Sequence, residues 1–90
     1  MQKTHHIKLL EAFAYDVLSG DKTFEIRFND RGYQKGDLVR FKVIDKAGMR
    51  LLGHPLNNEL FMITYVINGY GLENGYVVFG IKRVTDETQC

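Results

Sequence analysis

The sequence has no tryptophan, one proline, one cysteine and no long hydrophobic run. A lone cysteine, Cys90, cannot form an internal disulfide, which favours a reducing, cytoplasmic location. No apolar stretch reaches the roughly 20 residues that a transmembrane helix requires. We therefore expect a cytoplasmic protein without a membrane partner.

The composition is that of an ordinary globular domain. Ninety residues, 44% hydrophobic and 26% charged, predict a single domain over residues 1–90 with one modest core and a disordered tail at residues 85–90. The net charge is only +1, but residues 20–50 hold eight basic and five acidic side chains. This excess favours a polyanion on one side of the molecule, although the solvated face of a strand would give the same pattern.

Hydrophobic periodicity predicts one early helix among short strands. Residues 10–19 repeat apolar side chains at helical spacing, and Gly20 suits the left-handed residue that ends a helix. Strands are predicted over residues 5–9, 23–28, 38–44, 49–52, 60–67 and 76–84. Residues 60–67 are apolar on both faces, which predicts a central strand covered on both sides. Five or six strands, with Gly80 at a bend or bulge, predict a mainly β (α+β) fold that closes into a small barrel.

Metal and cofactor sites are not expected from the histidines and glycines. His5 and His6 are adjacent and point to opposite faces of a strand, while His54 lies in a separate loop, so the four convergent ligands of a structural zinc site are missing. No glycine-rich fingerprint stands between a strand and a helix. The only serine, Ser19, falls at the end of the predicted helix and is a poor candidate nucleophile.

The most informative segment is residues 20–31, GDKTFEIRFNDR. Side chains alternate along a strand, so Thr23, Glu25 and Arg27 share one face and the neighbouring phenylalanine and isoleucine side chains share the other. Glutamate is a poor strand former. Glu25 is therefore either an exposed partner of Arg40 or Lys42, or a carboxylate in a cleft that accepts hydrogen bonds from a base edge or from Arg27.

Other side chains near this strand suit an anionic or aromatic ligand. Lys22 offers a point charge for a phosphate or an oxyanion, and Arg27 and Arg31 offer planar forks for a phosphate or a base edge. Asn29 could read polar edges. Tyr33 and Tyr70 could stack on a nucleobase.

The same segment resembles the ASCH superfamily, and within it a small phage and bacterial branch. The resemblance rests on the pattern G-x-K-T-F-E-I-R-x-N-D-R in residues 20–31. It continues at residues 36–37 (GD), 64–67 (TYVI), 69–72 (GYGL) and 75–78 (GYVV), and so covers nearly the whole chain. It implies a PUA-like β-barrel with a cleft near residues 22–27, and a role in binding RNA or a modified nucleotide.

One ASCH branch of similar size hydrolyses the amide of acetylated cytidine. Its lysine matches Lys22, but its threonine position is occupied here by Glu25. Its late glutamate has no secure match, although Glu73 lies in the corresponding region. Because of these departures, the sequence leaves open whether the protein is an enzyme.

The leading hypothesis is a non-enzymatic, monomeric barrel that binds RNA or a nucleotide, with the ligand contacted by Lys22, Thr23, Glu25, Arg27, Asn29, Arg31 and Tyr70. One alternative is a hydrolase of a modified nucleoside, in which Glu25 is the general base and Lys22 stabilises the oxyanion. A second is a ribonuclease that transfers protons through Glu25 or His5. A third alternative is a protein-interaction module, which no particular residue supports.

Overall fold

The computed structural model describes residues 2–85, which form one mixed β-sheet with a helix packed on it. The mainly β class with one helix is therefore confirmed. The elements are β1 (Thr4–Leu10), α1 (Glu11–Ser19), β2 (Phe24–Phe28), β3 (Leu38–Ile44), a short 3₁₀ helix (Pro55–Asn58), β4 (Phe61–Asn68) and β5 (Tyr76–Arg83).

The strands lie in the order β1-β3-β4-β5-β2, so β1 and β2 are the two edges of the sheet. β1 runs parallel to β3, and the other neighbours are antiparallel. No strand pairing joins β1 to β2 in the described part of the chain, and the predicted barrel closure is not confirmed. The expected strand at residues 49–52 is reduced to an isolated bridge between Ile44 and Arg50.

The core lies on the inner face of the sheet, beneath α1 and the 3₁₀ helix. The largest fully buried side chains are Phe41, Phe79, Ile7, Leu56, Ile63, Val17, Val39 and Val43. Gly20 ends α1 with φ 91°, as its position in the sequence predicted. Of the apolar side chains that predicted the helix, Ala14 and Val17 are buried in the core, whereas Leu10 and Phe13 are exposed.

β4 is central in the sheet, as predicted, but within the described residues only one of its two faces is covered. Phe61 and Ile63 pack inward, while Tyr65 and Ile67 on the opposite face remain exposed. The pairing of β4 with β5 shifts register between Ile63 and Tyr65, opposite Gly80. A Cβ at Gly80 would lie 2.6 Å from Thr64 Oγ1, which explains a glycine beside the irregularity.

Within residues 2–85 no helix is both long and apolar enough to span a bilayer. Residues 86–90 of the predicted tail, with Cys90, lie outside the described residues, so the disorder predicted for them stays a prediction.

A buried side-chain hydrogen bond joins His5, near the start of β1, to Asp37 in the turn before β3. His5 Nε2 lies 2.8 Å from Asp37 Oδ2, and both side chains are 5% exposed. The Asp37 carboxylate also accepts hydrogen bonds from the backbone N–H groups of Lys3 and Gln34. Burial acts to raise the pKa of Asp37, but these hydrogen bonds, led by that of His5, outweigh it and hold the pKa below that of an ordinary aspartate.

This lowered pKa predicts a stability contribution from Asp37 that depends on pH. It is fully present above the ordinary pKa of an aspartate and is lost as the pH falls through the lower folded-state value. Asp37→Asn should lower the free energy of unfolding by about 1–3 kcal/mol at pH 7, because buried donors lose a charged acceptor. Urea unfolding of both proteins at neutral pH and near pH 3 should show the difference shrinking in acid. A difference that is constant with pH would contradict this role of the carboxylate.

Candidate functional site

The carboxylate of Glu25 is the centre of the candidate site. Glu25 lies on the edge strand β2, opposite Phe79 of β5, and is only 3% exposed. It is therefore not a surface partner of Arg40 or Lys42. A buried carboxylate is costly unless cations and hydrogen bonds compensate it. Both of its oxygens are in fact engaged by cationic side chains of the same segment.

Lys22 binds one of these oxygens. Its ammonium group pairs with Glu25 Oε2 and also donates to the carbonyl of Phe24 at 2.7 Å. The same nitrogen lies 5.0 Å from the ring centroid of Phe24 and 5.7 Å from that of Phe13. Because an ammonium group has three donors, one remains for a ligand. The lysine lies three residues after the end of α1, and its backbone N–H donates to Asp16 O at 2.9 Å.

Arg27 binds the other oxygen and reaches across the open side of the sheet. Its Nε and Nη2 both donate to Glu25 Oε1, at 3.0 and 2.8 Å, as charge-assisted hydrogen bonds. Nη2 also donates to the carbonyl of Lys8 on β1 at 2.8 Å. Nη1 has no hydrogen-bond partner among residues 2–85. Arg27 thus links the two edge strands and keeps two donors for a ligand.

These three side chains converge on a pocket of about 540 Å³ between β1 and β2. Its apolar lining comes from β1, α1, β2 and β3, namely Leu9, Leu10, Phe13, Phe24, Ile26 and Ile44. The polar part comes from Lys8 of β1 and from the Lys22, Glu25 and Arg27 group. Three cations against one carboxylate leave the pocket positive, with apolar walls of the kind that bind a flat organic group.

A second hollow of about 370 Å³ adjoins this pocket and shares Lys8 and Arg27 with it. We call it the basic groove. It is lined by His6, Ile7, Lys8, Arg27, Phe28, Asp30, Arg31, Tyr33 and Lys42. Lys8 and Lys42 are register partners on β1 and β3. The side chains of Lys8, Arg31 and Lys42 form no ion pair within residues 2–85, so they are available to an anion.

The two tyrosines predicted to stack on a base do not line the pocket. Tyr70 is 93% exposed in the β4–β5 loop, where it and its two glycine neighbours all have positive φ. Tyr33 is buried, with its ring centroid 4.8 Å from His5 and 4.7 Å from Phe79. Burial raises the pKa of Tyr33, and the nearby charges of Arg31 and Arg27 act against that rise. Tyr33 is therefore a core residue beneath the groove.

Three other predicted residues lie outside the pocket. Thr23 borders a separate hollow between α1 and β5, and its carbonyl accepts the N–H of Ile81 at 2.9 Å. Asn29 accepts the N–H of Tyr33 at 2.9 Å and so shapes the turn after β2. His5, the candidate proton-transfer residue, is buried against Asp37. Arg31 lies in the basic groove.

Sequence reasoning missed Lys8, Lys42, Leu10, Phe13 and Ile44. Leu10 and Phe13 belong to the apolar repeat from which the helix at residues 10–19 was predicted, and Lys8 was not singled out. Their place beside β2 depends on the strand order, which no local pattern reveals. Within residues 2–85 no group of three or more His, Cys, Asp or Glu side chains could hold a metal ion.

The fold and the cleft define a small domain with an open mixed sheet and a ligand-sized pocket between its two edge strands. Residues 4–81 match the family described as a domain of unknown function, DUF3850, and the chain therefore belongs to that family. A comparison with curated proteins finds no significant match.

The geometry predicts that Glu25 matters more for stability than an exposed glutamate in a similar pair. Glu25→Gln should lower the free energy of unfolding by about 1–3 kcal/mol, because two cations lose a buried charged acceptor. Glu59 pairs with Arg83 at 3.3 Å, with both side chains more than a third exposed. Glu59→Gln should cost less than about 1 kcal/mol. Urea unfolding of both variants measures the difference, and equal costs would argue against a buried, doubly paired Glu25.

Proposed function

We propose that the protein binds single-stranded RNA or a nucleotide in the cleft between β1 and β2. One observation supports the proposal most strongly. The buried Glu25 holds Lys22 and Arg27 in place at a pocket of about 540 Å³ with apolar walls. Both cations keep unused donors. Held in place in this way, they lose little conformational entropy when a ligand binds.

In this proposal the pocket receives a base or nucleoside and the basic groove receives the phosphates. The wall of Leu10, Phe13 and Ile44 suits the faces of a nucleobase, and the donors of Lys22 and Arg27 suit its carbonyl and ring-nitrogen acceptors. Because the groove shares Lys8 and Arg27 with the pocket, a phosphate attached to a bound nucleoside would meet Arg31 and Lys42.

The resemblance of residues 20–31 to the ASCH superfamily supports the same function, since that superfamily is associated with RNA and modified nucleotides. In this proposal the sheet is a PUA-like barrel in which the cleft takes the place of a β1–β2 pairing. A cytoplasmic location, predicted from the sequence, suits an RNA ligand.

The hydrolase alternative has less support from the geometry. A general base needs a lone pair that can reach the attacking water. Glu25 is 3% exposed, and Arg27 occupies both lone pairs of Oε1 while Lys22 occupies one of Oε2. The ribonuclease alternative is weaker because His5, one of its candidate proton-transfer residues, is buried against Asp37. Glu25 therefore suits the positioning of cations better than proton transfer.

The proposal predicts that RNA binding depends on the two pocket cations. Lys22→Ala with Arg27→Ala should weaken binding of a short labelled RNA more than about tenfold, because two charge-assisted hydrogen bonds are lost. Lys46→Ala with Arg50→Ala removes the same charge from exposed positions outside the pocket and the groove, and should change affinity much less. Fluorescence anisotropy at low salt provides the measurement, with circular dichroism to verify folding.

If the pocket variant unfolds because Glu25 is left unpaired, Lys22→Met, Glu25→Gln and Arg27→Met together remove the charges without that cost. Absence of binding by the wild type at low salt would overturn the proposal. So would equal losses in the pocket and control variants.

A second prediction concerns the basic groove. Arg31→Ala with Lys42→Ala leaves the Glu25 ion pairs intact and removes two phosphate contacts. The slope of log affinity against log salt should therefore become shallower by about 1.4, at roughly 0.7 for each single-strand phosphate. Titrations at several salt concentrations measure this slope. An unchanged slope would show that the phosphates do not lie in the groove.

A further inference from the structure

The outer face of the sheet carries a continuous apolar surface that the chain leaves uncovered. We call it the outer apolar face, and it consists of Phe24, Ile26 and Phe28 of β2, Tyr76 and Val78 of β5, and Tyr65 and Ile67 of β4. The strand register places these side chains in rows: Ile26 pairs with Val78, which pairs with Ile67. Phe28 pairs with Tyr76, and their rings meet edge to face at 5.6 Å.

The surface is large for a chain of 90 residues. Phe24, Ile26, Phe28, Tyr65 and Ile67 are between 37% and 64% exposed. At roughly 200 Å² for each large side chain, they present on the order of 500 Å² of mostly apolar surface. Two such faces in contact would bury about 1,000 Å² before their rims are counted, which is near the lower limit for a specific interface. A patch of this size matches the largest apolar patch of a typical monomer, and such patches are often functional.

The chemistry of the face favours another apolar surface over an anion or a polar partner. All seven side chains are uncharged. A two-fold interface brings each residue of a surface against the same surface of the partner. A face without charges can contact the same face of a second copy without like-charge repulsion. Two sheets that stack through such side chains lie about 10 Å apart.

The sequence of β4 gives a second reason to expect that another protein surface packs on the outer apolar face. Residues 60–67 are apolar on both faces, a pattern typical of strands that are covered on both sides. In the described chain only the inner face is covered, by α1 and the 3₁₀ helix. A second sheet placed on the outer face would complete the environment that this pattern predicts.

We propose that the protein forms a two-fold symmetric dimer in which the outer apolar faces of two copies pack against each other. Phe24 and Ile26 also line the pocket and Phe28 also lines the basic groove, so the interface borders the cleft along β2. Ile26 and Phe28 belong to the interface, while Glu25 and Arg27 point to the opposite side. The proposal does not depend on RNA binding, and it replaces the monomer expected from the sequence.

Sedimentation velocity of the wild type, over about a hundredfold range of concentration, tests this dimer. The wild type should shift from monomer to dimer as the concentration rises. Tyr65→Lys with Ile67→Lys should raise the dissociation constant about a hundredfold or more, because lysines from both copies would be brought together in an apolar contact. Neither residue lines the pocket or the groove.

The matched control is Met49→Lys with Leu52→Lys. These two apolar side chains are 67% and 77% exposed outside the face, and the variant adds the same charge. It should dimerise like the wild type. If the lysine variant of the face does not fold, Tyr65→Ser with Ile67→Thr serves as a milder substitution. A wild type that stays monomeric at every concentration would overturn the proposal, as would face variants that dimerise as well as the control.

Discussion

The ion pairs of the buried Glu25 with Lys22 and Arg27 determine most of what is distinctive about this domain. A carboxylate that is 3% exposed on an edge strand needs compensation, and the two nearest cations of its own segment supply it. Their positions are fixed as a result. One lies at the end of α1 and the other reaches the backbone of β1. The ion pairs that stabilise the buried carboxylate therefore also hold two cations at the mouth of the cleft.

The short strand β2 contributes side chains to two surfaces. Its inward positions carry the Glu25–Arg27 pair, and its outward positions carry Phe24, Ile26 and Phe28. In most half-buried strands the apolar row faces the core. Here the polar row points inward, and the apolar row is left on the outside. We propose that this arrangement gives two surfaces that meet along β2, the cleft and a sheet-packing face.

The fold could be predicted from the sequence wherever local patterns were strong. The helix, its end at Gly20 and β3 follow from periodicity and turn chemistry. The strand order could not be predicted, because it depends on contacts between distant segments. For the same reason Lys8 and Phe13 were not recognised as neighbours of β2. The alternation of residues 23–28 correctly grouped Glu25 with Arg27, but it did not reveal which face would be buried.

Tyr33 and Tyr70 show the limits of composition as a guide to a binding site. Both lie near glycines and polar residues, a context that favours exposure, and both were expected to stack on a base. Packing against His5 and Phe79 places Tyr33 in the core. Tyr70 is exposed, but at a loop that does not border the cleft. Only the three-dimensional arrangement separates these tyrosines from Phe13, which does border it.

The central claim is that Glu25 holds Arg27 at the cleft, and NMR of the arginine side chains tests it most directly. The Nε–H of Arg27 should exchange with water much more slowly than that of the exposed Arg31, because it donates to a buried carboxylate. In Glu25→Gln this protection should be lost. If Arg27 exchanged as fast as Arg31 in the wild type, the pair would not be formed in solution, and this account of the cleft would be wrong.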